Sequence, residues 1–317
     1  MVIVLALFVF LLVFIAFLSF SYYAYRKAFF SDRNKTMSPY DRLDKRGFAP
    51  YEDRIRGLID SLSAREFEEI FISADDGTDL YGRYYHVSDG APLEILVHGY
   101  RGHALRDFAG GAEACFDRGH NMLLIDNRAG GKSGGKVITF GIKERFDLIS
   151  WVNYAVERFG KDTDIILAGV SMGGATVLMA AGEKLPESVK CVIADCPYSS
   201  PIDIITRVAT QKGAPAFLAR RTATLGARIF AKFSILESSP VEAVRCADIP
   251  ILIIHGAEDS FVPCYMSEEI QAKNPSIILE KIEGADHAVS YLADTERYRS
   301  VTDGFLKKAL GGDFNEN

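Results

Sequence analysis

Residues 164–182 read "DIILAGVSMGGATVLMAAG": an unbroken apolar run, a serine set among glycines, then an alanine-rich run. Ile165, Ile166 and Leu167 suit a strand buried on both faces, and Ala175 to Ala181 suit a helix. Between them Gly169 and Gly173 flank Ser171, where a tight strand-to-helix turn needs small neighbours if the serine is to project above a sheet. The pattern G-x-S-x-G arises by chance in roughly a tenth of chains this long, so its meaning rests on what surrounds it.

Outward from Ser171 the same kind of run recurs at 93–99, 121–126, 189–195, 249–256 and 276–282. The segments between these runs are helical in period. In "IKERFDLISWVNYAVERF", Ile142, Phe146, Ile149, Val152, Val156 and Phe159 recur at three- and four-residue steps. Strand alternating with helix predicts a mostly parallel α/β sheet with helices on both faces and right-handed crossovers. Ahead of it, "EFEEIFISADDGTDLYGRYYHV" predicts an antiparallel hairpin turning at Asp75-Asp76-Gly77. Between Pro197 and Asp248 the interval is too long for one crossover and reads as a helical cap inserted over the carboxyl edge, about 197–248.

The chain has 317 residues and a net charge of −6, which argues against a nucleic-acid partner. Its five cysteines are odd in number and lack C-x-x-C spacing, so neither a disulfide framework nor a zinc site is expected. They read as free, mostly buried thiols.

The amino terminus differs from the rest. "MVIVLALFVFLLVFIAFLSFSYYAY" has no charged side chain before Arg26, and about twenty apolar residues span a bilayer core. A cleaved signal peptide competes with an anchor here. The missing basic n-region, the long apolar run and the absence of a clear A-x-A site favour an uncleaved single-pass anchor over 1–25. Tyr22, Tyr23 and Tyr25 suit the interfacial belt, and Arg26, Lys27, Arg33 and Lys35 after it predict a cytoplasmic body at the cell membrane. Residues 26–65 read as a juxtamembrane linker ending in a short helix, 66–311 as the folded domain and 312–317 as a tail.

A serine hydroxyl needs an adjacent imidazole to become a nucleophile. Asp259, with Glu258 as the competing acid, lies just beyond the strand at 249–256, and His287 lies just beyond the next. Both strand exits share Ser171's carboxyl edge, in the order serine, acid, histidine. In "LVHGYRG", His98 and Gly99 end the first buried strand. The Tyr100 amide that follows and the Met172 amide at the helix start are the expected oxyanion donors. His98 reads as a brace for this loop, and Asp126 and Arg128 as braces for "IDNRAGGKSGG". His86, His103 and His120 read as surface groups and His255 as packing. A P-loop is not expected, because G-x-x-x-x-G-K-[ST] is absent.

From about residue 66 to 310 the sequence resembles an α/β-hydrolase. The resemblance lies toward bacterial serine hydrolases grouped with serine-aminopeptidase-like and acyl-CoA thioesterase-like enzymes. The matching words, in order, are "VHGYRG", "DNRAGGKSGG", "FGIKERFDLISWV", "GVSMGGATVLMA", "DCPYSS", "IHGAEDSFVP" and "GADHAVSY". The resemblance implies the α/β-hydrolase fold, Ser171 as nucleophile, Asp259 as orienting acid through its D-x-x-V-P context, and His287 as base. The chemistry expected is hydrolysis of an acyl ester, with thioester or amide next, on a small acyl substrate that is lipidic if it arrives along the membrane. No metal or cofactor is called for. A membrane serine peptidase and a binding module that keeps the fold without catalysis are the rival readings.

Overall fold

In a computed structural model the described residues are 1–31, 37–44 and 46–311. Arg33, Lys35 and the 312–317 tail lie outside them. In chain order the helices are α1 (Val2–Ala24), α2 (Glu52–Ser63), α3 (Ala104–Asp107), α4 (Ala109–Asp117), α5 (Glu144–Phe159), α6 (Met172–Ala181), α7 (Pro201–Gln211), α8 (Ala216–Gly226), α9 (Pro240–Ala243), α10 (Tyr265–Gln271), α11 (Ser290–Ala293) and α12 (Thr295–Ala309). The strands are β1 (Glu68–Ser73), β2 (Asp79–Tyr85), β3 (Leu93–Val97), β4 (Asn121–Asp126), β5 (Ile165–Val170), β6 (Val189–Asp195), β7 (Ile251–Gly256) and β8 (Ile278–Ile282).

The strands form one eight-stranded sheet in the order β1-β2-β4-β3-β5-β6-β7-β8. The predicted hairpin pairs β1 with β2 antiparallel, and β2 joins β4 antiparallel; β4-β3-β5-β6-β7-β8 is parallel. β3, β5 and β7 are buried along their whole length, as their apolar runs require once helices cover both faces. The edge strand β8 shows Ile278 and Lys281 to solvent instead. On one face α5 lays Leu148, Trp151, Val152 and Ala155 onto the sheet; α4 and α12 cover the other.

Helices α7, α8 and α9 stand between β6 and β7, where the cap is expected. The polar stretch before Glu66 behaves differently from a free linker. Helix α2 buries Ile55 and Ile59 beside Leu43 and Ala109, and Leu62 in the same cluster as Ala112 and Cys115 of α4, and Arg54 reaches Leu292 O at 3.2 Å and Thr295 Oγ1 at 2.8 Å. Its apolar residues recur every three or four positions between charges, so one stripe faces the body while the other stays wet. The folded unit therefore includes α2, ahead of the boundary expected at residue 66.

Among the described residues one helix is long and apolar enough to cross a membrane, Val2–Phe29, a run that continues α1 through a π-helical turn at Tyr25–Phe29. The other described residues cover none of its most apolar stretch. Its far end is docked: the α8 backbone at Gly226 comes so close to Ser21 O that a Cβ would lie 2.5 Å away. Phe29 is fully buried, edge-on to Phe140 and Phe233. Ile138 N–H donates to Phe29 O and Ser31 N–H to Lys136 O, both at 2.8 Å.

Candidate active site

Strand β5 delivers Ser171 to the carboxyl edge of the sheet, and the chain turns at once into α6. Ser171 has φ +55° and ψ −114°, a positive-φ backbone that L-residues rarely adopt. A Cβ on Gly169 would strike the Gly173 carbonyl, and one on Gly173 would strike Val97 O, so the turn closes only with glycine at both places.

The turn after β8 brings His287 over Ser171, with Nε2 2.9 Å from Ser171 Oγ. The loop after β7 brings Asp259 behind the ring, with Oδ2 2.7 Å from His287 Nδ1. Asp259 Oδ1 accepts the amides of Phe261 at 2.9 Å and Val262 at 2.8 Å. Burial alone would raise the Asp259 carboxyl. The hydrogen bonds and charges of His255 and His287 outweigh it and hold the group below the usual carboxylate range. An ionised Asp259 can only accept, so Nδ1 carries the imidazole proton and Nε2 is left to accept from the Ser171 hydroxyl. Glu258, the competing acid, is exposed.

His98 is buried; Asn127 N–H donates to its Nε2 at 3.0 Å, and its Nδ1 lies 2.9 Å from Gly99 O. Gly99 N–H donates to Asp107 Oδ2 at 3.0 Å, which takes that amide out of play and leaves Tyr100 as the next along the loop. A Cβ on Gly99 would lie 3.4 Å from Ser171 Cβ, so the loop and the serine are neighbours. Met172 heads α6, where the first amides have no partner within the helix. The Tyr100 ring stacks on Phe140, its hydroxyl donates to Ala28 O at 2.8 Å, and burial pushes that hydroxyl up to about 12.

Three residues around the site have roles that sequence reading did not assign. His255 was expected to pack. It is fully buried, with Nε2 2.8 Å from Val262 O and 3.3 Å from Asp259 Oδ2, so it steadies the carboxylate from behind. Asp286 ties the two loops together: its Oδ1 accepts the amides of Ser260 and His287, each at 2.8 Å. Asp107 anchors the Gly99 loop and pairs with Arg106 at 2.8 Å. For His255 and Asp286 the signal was their place beside Asp259 and His287 in the chain; for Asp107 there was none.

Two histidines depart from the expected surface role. His120 is buried, with Nδ1 2.8 Å from Glu94, which also meets Arg118 at 3.3 Å. His103 caps α3 by accepting from Leu105 N–H at 3.3 Å, and burial pushes it down to about 4. Among the described residues, Cys196, Asp259 and His287 offer ligand-type atoms within 4.8 Å of one another. Asp259 and His287 are already spent on each other, and burial drives the Cys196 thiol well above its ordinary value, away from the thiolate a metal needs. Of the other cysteines, Cys115 and Cys191 are buried, Cys264 is half-buried and Cys246 is exposed.

A cavity of about 520 Å³ opens on Ser171 and His287 and runs between the sheet, α4 and α2. That size is ordinary for a small-molecule site.

The family profile described as alpha/beta hydrolase fold matches residues 95–245. The uncharacterized protein YqkD of Bacillus subtilis is 27% identical over 258 residues, covering 80% of this chain and 84% of that one. Dipeptidyl aminopeptidase BIII of Pseudoxanthomonas mexicana is 28% identical over 237 residues, 70% of this chain but 34% of that one. Among solved structures, the Pyrococcus furiosus esterase Pf2001 is 25% identical with a TM-score of 0.62, covering 79% of this chain and 95% of that one. Est1E of Butyrivibrio proteoclasticus, solved with ferulic acid bound, is 23% identical with a TM-score of 0.58, covering 76% and 99%.

Proposed function

We propose that this chain, which belongs to the α/β-hydrolase superfamily and is a hydrolase, cleaves an acyl ester through Ser171, His287 and Asp259. The observation that carries the reading is the continuous relay of 2.9 Å from Ser171 Oγ to His287 Nε2 and 2.7 Å from His287 Nδ1 to Asp259 Oδ2. Ser171 Oγ attacks the acyl carbon while His287 takes its proton. The amides of Tyr100 and Met172 receive the oxyanion. The ester C–O bond then breaks, the leaving oxygen takes the proton from His287, and water repeats the sequence on the acyl-enzyme.

Fluorophosphonate labelling of the full chain in detergent tests this directly. Wild type labels, and Ser171→Ala and His287→Ala lose labelling while keeping their circular dichroism and melting behaviour. A folded wild type that does not label removes catalysis by Ser171 and leaves the binding module. Similarity to an aminopeptidase favours a second reading, cleavage of amides. Faster turnover of aminoacyl amides than of acyl esters would put it first.

We read Val2–Ala24 as a membrane anchor with the body in the cytoplasm. Helix α8 runs beside the last turns of α1 and exposes Phe217, Arg221 and, just beyond it, Arg228. Basic and aromatic groups there suit an anionic headgroup layer, and a lipidic acyl substrate follows naturally from that position.

A further inference from the structure

The cavity beside Ser171 has a lining of two chemical kinds. Part of its wall is apolar, with Ile55 and Leu58 of α2, Ala109 and Gly111 of α4, Val170 and Leu292, while Glu94, Arg118 and Asp195 are in the lining too. Four further cations line it, Arg42, Arg101, Arg106 and Lys212, of which Arg42 and Lys212 are exposed to solvent. Arg106 is committed to Asp107 and to Asp41 O at 3.0 Å. Arg101 is committed to the residues just after α1, donating to Phe30 O at 2.8 Å and Lys27 O at 3.1 Å. Arg101 still keeps its charge, since carbonyls are its partners and its buried Nε has none among the described residues, and Arg42 and Lys212 remain beside it in the lining. Arg42 makes one long bond, 3.4 Å to Arg101 O, and among the described residues neither Arg42 nor Lys212 has a carboxylate within ion-pair distance. Arg42 and Arg101 both stand in the left-handed region, φ +69° and +48°, a costly backbone for an arginine. Partial burial, then the Arg106 and Arg101 charges, lower the proton affinity of Arg42, a penalty that a bound anion would relieve.

Taking Ser171 as the nucleophile, we propose that the substrate is a single-chain acyl ester bearing a phosphate, a lysophospholipid-like amphiphile. Its chain lies between α2 and α4, and its phosphate meets Arg42 and Lys212 of the lining. Guanidinium and ammonium groups left without partners beside a reacting carbonyl are suited to a phosphate. Tyr100 and Arg101, both in the lining, are fastened to the residues just after α1, so a lipid leaving the bilayer surface reaches the exposed cations first and the serine next.

The test compares 1-oleoylglycerol 3-phosphate with 1-oleoylglycerol, which differ only in the phosphate, on the full chain in detergent micelles. In the Ser171→Ala protein the phosphate ester binds about tenfold tighter, the scale of one charge-assisted contact at a partly exposed site. Arg42→Gln cuts that ratio several-fold and Arg42→Glu inverts it. Equal binding of the two lipids, or a ratio that survives both Arg42 variants, overturns the proposal. Oleoyl-CoA is the third arm, and tighter binding of it than of the phosphate ester replaces the membrane lipid with a soluble thioester. Because binding is read in a protein without the nucleophile, loss of the phosphate preference remains distinct from failure of the hydrolase reading, which fluorophosphonate labelling reports.

Discussion

Ser171 is held at φ +55° by bonds on both sides of it: its N–H donates to Asp195 O at 2.8 Å, and Ala175 N–H donates to its carbonyl at 2.9 Å. Strain of this kind persists only where the surroundings over-determine it, and here β6 and α6 supply that restraint. Asp195 adds an electrostatic cost of its own. Burial raises its carboxyl to about 6, against the pull of the His255 and His287 charges. The folded group keeps its proton where an unfolded one, near 4, has lost it. Stability therefore falls as pH rises from about 4 to about 6, and the penalty is complete above that. Asp195→Asn removes the penalty, so thermal denaturation should show the variant gaining about 2 kcal/mol on wild type at pH 8 and little at pH 4. An equal difference at both pH values would show that the carboxylate is not what costs stability.

At the scale of the element, the stretch from Ser21 to Ser31 joins the apolar helix α1 to the body of the fold. Phe29 shares a cluster with Phe140, Phe233 and Met172, so the helix base and the start of α6 pack against one set of side chains. Phe29→Ala should cost about 3–5 kcal/mol, as expected for emptying a buried aromatic site. Phe20, which is 57% exposed, should tolerate the same change. Melting of both variants in detergent checks this, and equal melting temperatures would mean that the helix base is only tethered. The short helix α2 was visible in sequence, but its incorporation into the body was not. Its apolar stripe of Ile55, Leu58, Ile59 and Leu62 is diluted by charge, and only the partner surface on α4 shows that the stripe has something to cover. The buried Glu94–His120–Arg118 group was hidden for the same reason, since a charge in a strand reads as exposure until its partners are known.

For the whole molecule, the proposal that α1 is an anchor predicts fractionation. The full chain should stay with membranes through high-salt and carbonate washes, leave only with detergent, and retain Met1 or Val2 by mass spectrometry. Release into a soluble fraction with a shortened amino terminus would make the apolar run a cleaved signal. Much of the architecture was legible from local chemistry. The apolar runs required a buried parallel sheet because only strands covered on both faces read that way, and Gly169 and Gly173 marked the turn because no side chain fits there. The order of Ser171, Asp259 and His287 along one sheet edge was legible as well, since parallel strands all exit on the same side. Which of Glu258 and Asp259 meets His287, which amide of the loop Asp107 takes, and that Arg42, Arg101 and Lys212 line one cavity were decided by tertiary structure alone. Periodicity reports only which face of an element is buried. Distances between elements far apart in the chain arise when those faces pack, and the site is made of such distances.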